Sequence, residues 1–323
     1  MPSSQTLAPF TSIDLPLPDR RDGKVRTSYA LGATKRLIVT TDRLSAFDRI
    51  IAGVPYKGQV LNQLSAWWFQ RTADLVANHV VEVPDPNLLV ARAAQTLPVE
   101  VVVRGYITGV TSTSLWKPYA AGARVLYGYR FPDGLRKNTP LPYPIVTPTT
   151  KPPAGSTVHD EPLSVSEVVE RGLVDAGRWE HITSIALELF RRGQDVAANA
   201  GLLLVDTKYE FGLTTDGKVL LIDELHTPDS SRWWVAASYE ERLTTDAEPE
   251  SLDKELVRQA LAAAGFSGDG EIPELAPDVW SATTARYADA YERLTGQAFE
   301  PGAYPVQERI GTVLDAVRKE HDG

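Results

Sequence analysis

The 323-residue chain has no cysteine, a single methionine and only five histidines. Without thiols, disulfides, thiolate nucleophiles and cysteine-ligated metals are excluded, and the composition suits a reducing, cytoplasmic setting. The run His159-Asp160-Glu161 has metal-binding residue types. Consecutive residues do not readily ligate one ion, however, and no second histidine is near in sequence, so no zinc site is expected. No apolar run approaches the roughly 20 residues needed to span a bilayer. The N-terminus lacks a basic stretch followed by an apolar one, so it does not read as a secretory leader. There is no basic tract, and the formal charge is −9. Duplex nucleic acid is therefore not an expected partner, and an anionic small substrate would need lysines and arginines gathered locally. Neither a Walker-type Gly-x4-Gly-Lys-Ser/Thr nor a Gly-x-Gly-x-x-Gly before a helix is present. The hydrophobic (43%) and charged (23%) fractions are those of an ordinary globular protein, long enough for two domains.

The most informative stretch that is present is Gly201-Leu-Leu-Leu-Val-Asp-Thr-Lys-Tyr-Glu-Phe-Gly212. As a strand, it would put Leu204, Asp206, Lys208 and Glu210 on one face and Val205, Thr207, Tyr209 and Phe211 on the other. A hairpin signal, Thr-Thr-Asp-Gly, leads to a second apolar run, Val219-Leu-Leu-Ile-Asp-Glu224, whose pairing would bring Asp223 or Glu224 to the same acidic cluster. Carboxylates around one lysine suit a magnesium–nucleotide: hard oxygens hold the metal, and metal and ammonium neutralise the phosphates. The plainer alternative is a solvated hairpin edge carrying weak surface ion pairs. The second run is too apolar for that.

Elsewhere, residues 1–19 read as a loose arm. Residues 25–31 and 36–41 read as a hairpin. Gly58 to Val76 reads as a helix whose Val60, Leu61, Leu64, Trp67, Trp68, Arg71 and Leu75 form a core stripe, which makes the tryptophans packing anchors rather than a base-stacking platform. Short strands follow at 80–83, 88–92 and 98–104. From Gly105 to Pro162 the composition turns to Gly, Pro, Thr and Tyr. The run Pro140 to Gly155 is excluded from helix and interior strand by its prolines and reads as part of a long loop, functional or mobile. Ser164 to Arg171 reads as a short helix capped by Ser164 without a capping box. Arg178 to Ala200 reads as a long amphipathic helix, and helices are expected at 252–264, 278–294 and 305–320. The chain is thus divided into an arm (1–19), a β-rich lobe (20–104), an α+β lobe with most of the site (105–250) and C-terminal helices (251–323).

Four further segments carry candidate chemistry. In Gly23-Lys24-Val25-Arg26 a glycine lets backbone approach a phosphate and a lysine neutralises it, although such a pair is also an ordinary turn. Thr41-Asp-Arg-Leu-Ser-Ala-Phe-Asp48 puts two aspartates and an arginine in a turn, equally readable as an Asx-type turn. Pro98 to Gly109 sets Glu100 and Arg104 on one strand face, followed by Thr111-Ser-Thr-Ser114, which together offer a phosphomonoester a guanidinium and hydroxyls. Thr227-Pro-Asp-Ser-Ser-Arg-Trp-Trp234 again supplies Asp, hydroxyls and Arg, in a rigid packed loop.

In the same order along the chain, these segments resemble the phosphoribosylaminoimidazole-succinocarboxamide (SAICAR) synthases of purine biosynthesis. Leu204 to Gly212 is similar to that family's most specific signature and Leu97 to Gly109 to its second. Gly23–Arg26, Thr41–Asp48, Thr147–Lys151 with His159–Glu161, and Ile222–Glu224 through Arg232 also fit, over roughly residues 20–300. One departure is Val110 after Gly109, which leaves open whether Ser112 or Ser114 meets the substrate phosphate. The resemblance implies a two-lobed α+β fold with an ATP-grasp-like or kinase-like nucleotide cleft. It implies ATP-dependent condensation of carboxyaminoimidazole ribonucleotide (CAIR) with L-aspartate through an acyl phosphate, giving SAICAR, ADP and phosphate. It implies ATP and Mg²⁺, no membrane partner, and a monomer or small homo-oligomer. By motif position, Gly23, Lys24, Arg26, Glu100 and Lys151 would serve ATP, and Glu210 and Asp223 would hold Mg²⁺. Lys208 and Asp206, the catalytic pair, would sit at the transferring phosphoryl and the substrate. Arg104, Ser112 or Ser114, Asp229, Ser231 and Arg232 would bind the ribonucleotide, with Asp160 near its imidazole. A non-catalytic nucleotide-binding regulator and a phosphotransferase acting on a hydroxyl are the competing classes; the intact Asp206, Lys208, Glu210 and Asp223 weigh against the former.

Overall fold

In the computed structural model, which describes residues 7–152 and 160–321, the first third of the chain is mostly short strands. These are β1 (Arg21–Asp22), β2 (Arg26–Leu31), β3 (Lys35–Thr40), β4 (Arg43–Ala46), β5 (Arg49–Gly53), the helix α1 (Lys57–Arg71), β6 (Val80–Asp85) and β7 (Leu88–Arg92). Next come β8 (Gln95–Ile107), α2 (Trp116–Ala120), β9 (Val125–Leu126), β10 (Tyr129–Arg130), β11 (Thr139–Thr150), α3 (Val165–Glu170) and α4 (Ala176–Asn199). After them lie β12 (Leu202–Leu213), β13 (Val219–Ile222), β14 (Ser231–Val235), α5 (Ala236–Thr244), α6 (Glu255–Ala263), α7 (Pro277–Thr295) and α8 (Val306–His321). The fold is mixed α+β, as expected. The chain forms two compact units, each discontinuous in sequence: residues 1–69, 79–93 and 252–323 in the first, 70–78 and 94–251 in the second.

The first unit is organised by a five-stranded antiparallel sheet, β1-β2-β3-β7-β6. Alternation in β2 buries Thr27, Tyr29 and Leu31. Tyr29 and Leu31, with Leu37, Val39, Leu88 and Val90, share a core with Val306, Ile310, Leu314 and Val317 of α8, each apolar side chain contributing about 1.5–3 kcal/mol by burial. Phe10 and Ile13 join that core, so the described part of the N-terminal arm is packed rather than loose. In α1, Trp68 is fully buried, as a core anchor should be. The helix stops at Arg71, short of Val76, and hydrogen bonds to the Thr72 carbonyl continue the chain as turns.

The second unit holds a sheet ordered β11-β8-β12-β13, with β14 also paired to β12. One face is covered by α4, whose Trp179, Ile182, Ile185, Ala186, Leu189 and Phe190 are buried. Three expectations change here. Through Thr150 the proline-rich stretch is strand β11, not a loop, while residues 153–155 lie outside the described residues: the strand lies at the sheet edge beside β8, where missing N–H donors face outward, and its register breaks between Pro140 and Ile145. Ser164 does head a capping box, accepting from the Glu167 amide while the Glu167 carboxylate accepts from the Ser164 amide. The third change is a bulge in β12. Leu204 pairs with Trp233 and Asp206 with Arg232, which leaves Val205 as an extra residue. Leu204 therefore faces α4, not the charged side. A Cβ on Gly193 of α4 would lie 2.5 Å from the Leu204 side chain and 2.6 Å from the His226 ring, so glycine is required there. Asp206, Lys208 and Glu210 still share the other face.

Candidate functional site

The site lies within the second unit, on the face of the sheet away from α4. Register sets it: Asp206 of β12 is opposite Arg104 of β8, and Glu210 is opposite Glu100. Because side chains alternate, all four point the same way, as do Lys208 and, from the far side, Arg232 of β14. Val99, Val101 and Val103 of β8 are buried on the α4 side.

One end of this face is cationic. Asp206 Oδ2 accepts from Arg104 at 3.2 Å and from Arg232 at 2.8 Å. The side chains of Arg104, Asp206 and Arg232 are 9%, 13% and 14% exposed. Arg104 also donates to the Thr147 hydroxyl at 2.9 Å and to the Thr113 carbonyl at 2.8 Å. Two guanidiniums and one carboxylate sum to one positive charge in a poorly hydrated setting. Gly109 closes this end with φ +100°, and a Cβ there would sit 2.5 Å from Ser114 Cβ and 3.7 Å from the Arg232 guanidinium. The backbone thus approaches the arginine pair closely, where only glycine fits.

Two to four residues further along β12, roughly 7–13 Å at strand rise, the face turns anionic. The Lys208 ammonium is bonded to Glu210, and lies 3.2 Å from Asp223 and 3.5 Å from Glu100. Lys151, just past β11, reaches Glu210 at 2.6 Å and Glu100 at 3.4 Å. Asp223 follows β13 at φ +67°, which turns it towards Lys208. Glu224 instead accepts from the Thr227 hydroxyl. Burial works against a charged Lys208, but Glu100, Glu210 and Asp223 outweigh it and raise its pKa well above the ordinary range. Burial pushes Glu100 up, yet Lys208 and Lys151 hold it below the usual carboxylate range. Glu210 goes the other way: its burial, only partly offset by Lys208, pushes it up. Three carboxylates against two ammoniums leave one negative charge.

The remaining candidates are dispersed. Ser112 is exposed. Ser114 is buried and donates to the Thr111 carbonyl at 2.7 Å. Ser231 meets the Thr207 hydroxyl at 2.8 Å, on the α4 side of the sheet. The half-buried Asp229 has its amide bonded to Thr227. Asp160 is half-buried where the chain rejoins the end of β11 through Glu161 and Thr150, while His159 lies outside the described residues. Gly23, Lys24 and Arg26 belong to the first unit, where they form the tight turn between β1 and β2, closed by the Gly23 amide on the Arg26 carbonyl. Lys24 there meets Asp48 at 2.6 Å. Sequence reasoning did not single out Thr147 or the Thr113 carbonyl.

A sheet face with a buried arginine pair at one end and a carboxylate–lysine cluster at the other has the charges of a small-molecule enzyme site, suited to an anionic ligand at one pole and a cation at the other. The comparisons with known proteins make this specific. The family model described as SAICAR synthetase matches residues 19–273, and the chain belongs to that family. It is 48% identical to the phosphoribosylaminoimidazole-succinocarboxamide synthase of Legionella pneumophila, over 93% of this chain and 96% of that one. It is 40% identical to that of Bacteroides thetaiotaomicron, over 96% of each. Among solved structures, the Saccharomyces cerevisiae SAICAR synthase in complex with SAICAR superposes with a TM-score of 0.76 at 33% identity, over 90% of this chain and 99% of that one. The enzyme is therefore an ATP-dependent carbon–nitrogen ligase. No helix among the described residues is long and apolar enough to cross a membrane.

Proposed function

We propose that this sheet face carries out the family's condensation of CAIR with L-aspartate, with the arginine end holding the ribonucleotide and the carboxylate–lysine end handling ATP. The observation that supports this most is the bipolar face itself, because it lets one sheet bind a phosphate ester at one pole and a metal–polyphosphate at the other. In the reaction, a CAIR carboxylate oxygen attacks the γ-phosphorus and ADP leaves. The aspartate amine then attacks the acyl carbon, the C–O bond to phosphate breaks, and the amine loses its proton.

Arg104 and Arg232 would fork onto the ribonucleotide phosphate, with Asp206 fixing both guanidiniums in place. Lys208, held protonated by its carboxylate neighbours, would offset charge on the transferring phosphoryl and could not serve as a base. Lys151 would add a second ammonium. The donor set also fits a divalent cation: Glu210 and Asp223 present hard oxygens that already converge on one cation, the Lys208 ammonium, and the cluster is net negative. Magnesium held by Glu210 and Asp223 would neutralise the triphosphate. Lys24 and Arg26 are proposed to contact nucleotide phosphates.

ADP release, measured with each substrate omitted in turn, tests this reading. Sustained release is expected only with ribonucleotide and aspartate both present. Equal release without the ribonucleotide, or phosphoryl transfer to a hydroxyl, would overturn it.

A further inference from the structure

Within the first unit, the segment Thr41–Asp48 is built around the turn that carries Lys24. The Arg43 guanidinium donates to the Lys24 carbonyl at 3.0 Å and the Gly23 carbonyl at 3.0 Å. Its remaining nitrogen reaches the Thr11 carbonyl at 2.7 Å. Thr41 holds the next carbonyl: both its amide, at 3.0 Å, and its hydroxyl, at 2.5 Å, donate to Val25. Asp48 takes the Lys24 ammonium. One short segment thus fixes three successive carbonyls of the turn and its charged tip. The turn itself is closed by the Gly23 amide donating to the Arg26 carbonyl.

The clamp is rigid at its base. Asp42 is fully buried and accepts from the Phe10 amide at 2.8 Å, the Gly58 amide at 2.9 Å and the Tyr304 hydroxyl at 2.6 Å. Lys57, also fully buried, donates to the Arg43 carbonyl at 3.0 Å. A planar five-donor fork can hold several carbonyls at fixed angles, which a lysine cannot do. Guanidinium bonds to backbone carbonyls aim the carbonyls inward and, by peptide geometry, set the direction of the amides between them.

We infer that Arg43 is a positioning residue for nucleotide phosphates, acting through the Gly23–Arg26 turn rather than by touching the nucleotide. This rests on the reading of Lys24 as a phosphate contact. Steady-state kinetics of the full chain test it, with ATP varied at saturating ribonucleotide and aspartate, and the ribonucleotide varied at saturating ATP. Arg43→Ala and Arg43→Lys should each raise the ATP KM by about ten- to a hundredfold, the equivalent of re-fixing one or two freed backbone residues on binding. The ribonucleotide KM should stay unchanged, and kcat at saturating ATP should stay within about twofold. A merely structural role would lower kcat through a smaller active fraction and leave both KM values alone.

In a Lys24→Ala background, the Arg43→Ala effect on ATP KM should shrink, because part of what the clamp positions is gone. If Arg43→Ala is not recovered folded, Arg43→Lys, which keeps stem and charge, reads the same parameters. The inference is overturned if Lys24→Ala raises ATP KM while the Arg43 variants leave it unchanged. If Lys24→Ala itself leaves ATP KM unchanged, the phosphate reading of the turn fails and takes the inference with it.

Discussion

Replacing Lys208 with methionine keeps an unbranched stem and removes the ammonium at the centre of the anionic pole. That ammonium lies between Glu210, Asp223 and Glu100, so the variant leaves Lys151 paired with Glu210 and Glu100 and removes the ammonium contact of Asp223. Removing one partner of a fully buried ion pair costs about 3–5 kcal/mol. The Lys208 side chain keeps 27% of its exposure, and water screens part of the loss, so the fold should lose about 1–2 kcal/mol. The chemical step should lose more. Charge on the transferring phosphoryl develops chiefly in the transition state, and deleting one preorganised electrostatic group costs about 10²–10³ in kcat. The assay is ADP release with ATP varied at saturating ribonucleotide and aspartate, alongside thermal denaturation. The expected result is a kcat at least about two decades down with ATP KM changed far less. Mg²⁺ binding without nucleotide should tighten, because no ammonium competes for Glu210 and Asp223. A variant that turns over normally at saturation but binds ATP poorly would refute the catalytic role, making Lys208 a ground-state binding group.

Three other perturbations probe different parts of the account. Asp223→Asn should abolish turnover while preserving the fold, since asparagine tolerates the left-handed backbone found at this position; normal turnover with unchanged Mg²⁺ dependence would remove Asp223 from the metal site. Arg232→Ala should raise the ribonucleotide KM by about one to two decades, as for loss of a charge-assisted bond worth about 1.5–3 kcal/mol; a shift in ATP KM instead would mean the two poles are assigned the wrong way round. His226 is buried and its pKa is pushed by burial from 6.5 to about 3, so the unfolded chain binds the extra proton below pH 6.5. Its contribution to stability is complete above that pH and is lost on acidification at up to about 1.4 kcal/mol per pH unit until about pH 3. Urea denaturation of His226→Gln should show a shallower decline between pH 7 and 5, and an unchanged slope would contradict the assignment.

The site was legible where one physical rule dominates. Period-two alternation put Glu100 and Arg104 on one face of their strand and Asp206, Lys208 and Glu210 on one face of theirs, and the hairpin signal pointed to Asp223 or Glu224; that β8 and β12 are neighbours and that Asp223 is the one beside Lys208 are tertiary facts. What alternation cannot show is an inserted residue. The bulge at Val205 sends Leu204 to α4, and nothing in Leu-Leu-Leu-Val marks which residue is extra. Strand β11 was hidden because its prolines exclude only an interior strand, and the stretch was read as a loop although an edge strand, where the missing N–H faces outward, tolerates them. An edge position is a tertiary fact. Ser231 illustrates a finer limit. Its hydroxyl-rich turn was visible, but which hydroxyl faces the site depends on the register of β14, and register places Arg232 there and Ser231 with Thr207.

The central claim is that the ribonucleotide carboxylate is phosphorylated and that aspartate then displaces the phosphate from the acyl carbon. Mass spectrometry of a turnover with ¹⁸O in that carboxylate tests it most directly. The predicted result is a product with the mass of the succinocarboxamide ribonucleotide and one ¹⁸O carried into the released phosphate. ADP formed without that product, or phosphate free of ¹⁸O, would contradict the account.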